Sequence, residues 1–157
     1  MVYKIRIILD AEEDIFRDLE VEAHNSLEDF HNAITQAFGF LGNEMASFYT
    51  CDEEWRQDEE IALFDMSETG SEVRLMNEVI LEGILTENTP KLIYVYDFLS
   101  MWTFFVELTE IIDEIKEDLP IIALSFGNTP DEAPEKQFIG EDTDSDNFDA
   151  FDDESNF

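Results

Sequence analysis

The chain has 157 residues, of which 40 are acidic and 8 basic, for a formal net charge of −32. This length suits one domain plus a tail, and a hydrophobic content of 44% with 14 Phe supplies a packed core, so the chain is not disordered throughout. Binding to phosphates draws on clustered Lys and Arg that release counterions. Here the basic residues (Lys4, Arg6, Arg17, Arg56, Arg74, Lys91, Lys116 and Lys136) are scattered, so DNA, RNA and anionic membranes are repelled and a basic protein surface is attracted.

In chain order, Val2 to Leu9 is β-branched and aromatic and reads as a strand. Residues 11–14 read as a turn. Phe16, Leu19, Val21 and Ala23 give a second strand, hairpin-paired with the first. The ten N-terminal residues lack a signal-peptide layout. Ser26 is a suitable N-cap with Asp29 three residues on, and Leu27, Phe30, Ile34, Ala37 and Phe38 follow at helical spacing. Gly39 stops the helix, with apolar Phe40 behind it, so a helix is predicted over 27–38. Ser47–Cys51 and Ile61–Phe64 read as strands flanking an acidic loop that holds Trp55. Residues 67–71 read as a flexible connection, and Val79–Leu85 as a short strand or helical turn. Lys91–Phe98 and Trp102–Leu108 read as two strong strands joined tightly at Leu99–Met101, and Pro120–Phe126 as a last apolar strand. No run approaches the roughly 20 apolar residues of a membrane helix.

After Gly127 the composition shifts. Residues 131–157 hold 11 acidic residues and one Lys, a net of −10, against a net of −22 for the preceding body. The division expected is an α+β domain over 1–127 and an acidic, Phe-containing tail over 128–157 that is disordered unless bound. Cys51 is the single cysteine, so no intrachain disulfide forms, which suits a reducing cytoplasm.

The segment 91–108 carries Tyr96, Asp97, Phe98 and Trp102, and it resembles the hairpin of the plasmid ORF-three-like (insertion-element passenger) family, whose pattern is Tyr-Asp-Phe-Gly-Asp-x-Trp-x-His. The order of strand, strand, capped helix and further strands is similar as well, over residues 1–135. The resemblance implies an α+β, β-grasp-like mixed sheet holding one main helix. Leu99, Ser100 and Phe104 stand where the pattern has Gly, Asp and His, which marks a divergent acidic branch whose hairpin edge has become apolar. The passenger label hints at resolvase chemistry, but the Arg-ringed nucleophilic Ser and basic DNA-binding part of a serine recombinase are missing from this sequence.

Candidate chemistry is sparse. His24 and His31 are the imidazoles, and His31 is expected on a solvated helix face. Cys51 precedes Asp52, Glu53 and Glu54, which suppress a thiolate, so an inert thiol is expected. No zinc or nucleotide motif occurs. Asp142, Asp144, Asp146 and Asp153 imitate calcium-loop spacing, but Asn147 replaces the turn Gly and no helices flank them. No metal, cofactor or enzymatic activity is expected.

Two apolar features point instead to contacts with protein. Leu99, Met101 and Phe105 form a candidate docking surface on the hairpin, although alternation places Trp102, Phe104 and Val106 in the core. In the tail, Phe148, Phe151 and Phe157 recur among carboxylates, including Asp152 and Asp153, as in linear motifs that steer by charge and anchor by Phe. The ending resembles the acidic, Phe-terminated tips of bacterial single-stranded-DNA-binding proteins, which set a C-terminal Phe in a partner's basic pocket. The expected function is a cytoplasmic, non-enzymatic interaction protein that docks on a basic partner surface, such as RNA polymerase or the ribosome, with no direct contact to nucleic acid. The alternative is a small-molecule or catalytic site at the Tyr96–Asp97 hairpin.

Overall fold

A computed structural model describes residues 1–65 and 73–135. The proposed connection at 67–71, the calcium-like spacing and the tail residues Phe148, Phe151, Asp152, Asp153 and Phe157 therefore lie outside the described residues.

Among the described residues there is one α-helix and one eight-stranded sheet. The strands are β1 (Val2–Leu9), β2 (Phe16–Glu22), β3 (Ala46–Cys51), β4 (Gln57–Ala62), β5 (Arg74–Leu75), β6 (Lys91–Tyr96), β7 (Trp102–Ile112) and β8 (Ile121–Phe126), and the helix is α1 (Leu27–Phe38). Their order across the sheet is β5-β4-β3-β6-β7-β1-β2-β8. The sheet is mixed: β4 and β5 pair in parallel, while the other neighbours are antiparallel. This is the expected α+β arrangement.

The helix begins and ends where local chemistry dictates. Ser26 Oγ accepts from the Asp29 N–H, and the Asp29 carboxylate accepts from the Ser26 N–H, both at 3.1 Å. Gly39 closes the helix in the left-handed conformation at φ 83°. The buried stripe of Leu27, Phe30, Ile34 and Phe38 lies against the sheet. Phe30 stacks on Phe48 of β3 at 5.6 Å, and Phe38 meets Phe104 of β7 at 4.7 Å. Each such burial removes enough apolar surface from water to stabilise the fold by roughly 1.5–3 kcal/mol.

Several boundaries differ from the sequence expectation. The strand expected at Ile61–Phe64 runs over Gln57–Ala62, because the acidic stretch is itself extended, with its side chains in water and its backbone paired to β3. Phe64 lies beyond the strand and is exposed. Of the two readings of Val79–Leu85, the helical turn is present, as a 3₁₀ turn over Leu81–Gly83, and a second such turn, Met76–Glu78, precedes the segment; their buried Leu81 and Met76 reach the core. β7 continues past Leu108 to Ile112, where β1 still offers backbone partners. The last strand is an edge: Ile122, Leu124 and Phe126 are about half exposed. Beyond it, Ala133 packs against the core, so close contacts continue past residue 127.

Arg17 ties helix and edge together. It is 7% exposed. Its guanidinium donates to the carbonyls of Ala37 in the last turn of α1, Phe16, and Phe126 of β8, at 3.1, 2.8 and 3.1 Å. It also lies over the Phe38 ring. A cation at the negative end of the helix dipole is well placed.

Candidate functional site

The hairpin that joins β6 to β7 is built on strained backbone. Asp97 has φ 64° and Met101 φ 60°, both in the left-handed region. Asp97 holds its end by donating its N–H to the Met45 carbonyl at 2.7 Å, and its carboxylate accepts the Leu99 N–H at 3.2 Å. Tyr96, 4% exposed, accepts the Gly42 N–H on its hydroxyl at 3.0 Å, which locks the loop after α1 to the hairpin. Phe40 stacks on Tyr96 at 4.7 Å and leans on Trp102 at 4.8 Å.

Above this aromatic group opens a cleft of about 550 Å³. Its floor includes Phe40, Tyr96 and Trp102, and its rim carries the carboxylates of Glu44, Asp97, Asp131 and Glu132. No Lys, Arg or His lines it. Three separate pieces of chain meet here: the loop after α1, the hairpin, and the segment after β8.

The other sequence candidates fall apart in space. Phe98, Leu99 and Met101 lie exposed at the hairpin tip, Leu99 at 96%. Phe105, three residues into β7, is half-buried beneath the Trp55 ring at 4.9 Å, with the Lys91 ammonium over that indole at 4.7 Å. It is therefore covered from within and does not join Leu99 and Met101 in one exposed patch.

Burial governs two of the titratable candidates, His31 and Cys51. His31 is not on a solvated face, as expected from the helix pattern, but is 1% exposed, with its Nδ1 2.6 Å from the Tyr94 hydroxyl. The stripe of α1 is wide enough to turn this position onto the sheet, and burial holds the imidazole neutral, down to about 4. Burial likewise raises the Tyr94 hydroxyl. The Cys51 thiol is pushed up to about 11, first by burial and then by Asp52, against a smaller opposing effect of Lys91. His24 is exposed and pairs with Glu82. Among the described residues, no group of three or more metal-ligating side chains converges, and no helix is long and apolar enough to cross a membrane.

Sequence reasoning found Tyr96, Asp97 and Trp102 of the cleft and missed Phe40, Glu44, Asp131 and Glu132. Phe40 registers in the sequence only as the apolar residue behind a helix stop. Asp131 and Glu132 read as the start of a tail because Gly127 and Pro130 precede them, and nothing local signals that this segment returns to the hairpin.

Comparisons with known proteins bear on the fold. A family model described as plasmid pRiA4b ORF-3-like protein matches residues 1–136. A solved structure, a protein of unknown function from Methanosarcina mazei Go1, is similar with a TM-score of 0.69 and 19% identity over 79% of this chain and 68% of that one. No curated protein matches.

Proposed function

This chain belongs to the plasmid pRiA4b ORF-3-like family, and from that premise we propose that it is a non-enzymatic, cytoplasmic interaction protein that docks on a basic protein surface. The observation that carries the reading is the use of its cations. All seven described Lys and Arg are engaged within the fold. Lys4 pairs with Glu110, Arg6 with Asp18, Arg56 with Asp52 and Glu54, Arg74 with Glu59, and Lys116 with Glu20. Lys91 donates to the Glu53 carbonyl, and Arg17 is buried among carbonyls. The remaining surface is a field of carboxylates whose compensating charge must come from outside. Such a field speeds encounter with a basic partner and fixes its orientation.

The tail's Phe148, Phe151 and Phe157, with Asp152 and Asp153, serve as a second contact in this proposal, and Leu99 and Met101 at the exposed hairpin tip as an apolar one. In this proposal the partner is a protein with a basic surface belonging to a machine such as RNA polymerase or the ribosome. The alternative is a catalytic or small-molecule site at Tyr96–Asp97, where Ser100 and the carboxylates of Glu44, Asp131 and Glu132 line the same cleft; against it, the Asp97 carboxylate is engaged in its own turn by the Leu99 N–H.

The test is capture by the immobilised full-length chain at low and at high salt, followed by reconstitution with the purified candidate. A basic protein that binds directly and is released by salt supports the reading. Direct binding only to neutral or acidic proteins, unaffected by salt, refutes it. Comparing a Phe148→Ala/Phe151→Ala/Phe157→Ala variant with an Asp152→Asn/Asp153→Asn variant then separates anchoring by Phe from steering by charge.

A further inference from the structure

We propose that the cleft between the hairpin and the segment after β8 is a receptor for a peptide bearing a basic side chain, with the carboxylate rim taking the cation and the floor taking a backbone carbonyl. This deepens the docking reading given above and rests on it.

Charge supplies the first half. Glu44, Asp131 and Glu132 are exposed and Asp97 is half-buried, all around one cavity with no basic side chain in its lining. Four like charges around one opening repel one another, and a guanidinium or ammonium entering between them relieves that repulsion while gaining charge-assisted hydrogen bonds.

The floor supplies the second half, independently of charge. Trp102 is 7% exposed and lines the cleft. Its indole N–H, a donor without acceptor capacity, finds no acceptor among the described residues. Tyr96, 4% exposed, accepts from Gly42, but its own hydroxyl proton has no acceptor among them either. Buried donors are costly when unpaired. Two residues with an unmatched donor, both lining a cleft with an acidic rim, suit a ligand that is cationic at one end and an acceptor at the other. An inorganic cation offers no acceptor, and a phosphate or carboxylate ligand is repelled by the rim. A peptide offers both, with a Lys or Arg side chain one residue from a carbonyl. The pocket's volume of about 550 Å³ falls in the range of ligand sites, roughly 300–1,000 Å³. The rim also includes Leu41, 90% exposed, which gives the aliphatic stem of such a side chain an apolar contact.

The chain has two tryptophans, so its indole N–H signals give a direct readout. The probe is an acetylated, amidated hexapeptide of alternating Gly and Arg, titrated into the full-length protein at low salt and followed by amide-correlation NMR. The expected result is a shift of the Trp102 indole signal with that of Trp55 unmoved. Neutralising the rim with Glu44→Gln/Asp131→Asn/Glu132→Gln should weaken binding about tenfold, whereas the remote triple Glu12→Gln/Glu13→Gln/Glu114→Gln should change it by less than about twofold. Trp102→Phe, checked for folding by its amide spectrum, should weaken binding by a further few-fold without altering its salt dependence.

Equal losses from the two triples with an unmoved Trp102 signal would overturn the cleft and leave the docking proposal standing as diffuse attraction. Spermine shifting the Trp102 signal as far as the peptide does would overturn the peptide assignment, since spermine carries no carbonyl. Absence of peptide binding at low salt would overturn the cleft, whereas the docking reading stands or falls by salt-sensitive capture of a basic protein.

Discussion

Replacing Arg17 by Met should be among the most destabilising single changes in this protein. The Met side chain occupies most of the space of the arginine stem but donates nothing. Three carbonyl oxygens, on Ala37, Phe16 and Phe126, then lose their charged donor. Hydrogen bonds to charged groups contribute about 1.5–3 kcal/mol each. Against this stands the cost of burying the guanidinium, which is large enough to lower its proton affinity. Three such bonds less that recovered desolvation leave a net loss of about 2–4 kcal/mol. For a domain of this size each kcal/mol moves the melting temperature by about 3–5 °C, so a drop of roughly 6–20 °C is expected. Arg17→Lys keeps the charge but not the planar fork and should fall between the two. Urea unfolding followed by tryptophan fluorescence, with a parallel thermal melt, measures the effect. An Arg17→Met protein within about 0.5 kcal/mol of the parent, the range of an ordinary surface change, would refute the idea that this guanidinium joins the end of α1 to β8.

Three further outcomes follow from the charges and the core. Because burial holds His31 near 4 when folded against 6.5 for the free group, the unfolded chain takes up a proton that the folded one refuses, so this contribution is fully present above 6.5 and is lost as pH falls toward 4, by up to about 3 kcal/mol. A His31→Leu/Tyr94→Phe double variant removes imidazole and partner together and should show a flatter fall between pH 7 and pH 4.5; parallel curves for the two proteins would rule this out. Added salt should raise the melting temperature by screening a body of net charge −22 before residue 131, and a melt unchanged between low and moderate salt would show that the surface ion pairs already neutralise it. Duplex or single-stranded nucleic acid should give no mobility shift at physiological salt, since no basic stripe exists to release counterions, and sub-micromolar binding would contradict this.

Much of the fold is legible in the sequence because its signals are local. Ser26, Asp29 and Gly39 mark both ends of α1 by their own hydrogen bonds, β1 is legible from its β-branched and aromatic residues, and in β7 Trp102, Phe104 and Val106 are buried on one face as expected. The misplacement of β4 has a physical cause. Its residues Gln57 to Glu60 are exposed, so no apolar period announces the strand, and what makes it one is backbone pairing with β3. His31 reads as solvated for a related reason: a polar ring in a helix has no local signal of burial, and its partner, the Tyr94 hydroxyl, lies 63 positions away. The cleft was half visible for the same reason: the hairpin carries a motif, whereas the arrival of Asp131 and Glu132 beside it is a tertiary event.

The hairpin also explains which motif positions this branch keeps. Asp97 and Met101 take positive φ, while Leu99 does not, so a branched residue stands where the pattern has Gly without backbone strain. Phe104, where the pattern has His, is fully buried and packs on Phe38 and Tyr94, so this position now serves the core and can no longer supply a base. The residues retained have a different duty. Asp97 adopts a left-handed turn that Asp tolerates better than most residues and bonds its own loop, Tyr96 fastens the loop after α1, and Trp102 lies beneath the opening. The position where the pattern has His is thus a core Phe in this chain, while Tyr96, Asp97 and Trp102 line a cleft. These placements, beside the engagement of the cations within the fold, support the recognition reading proposed above.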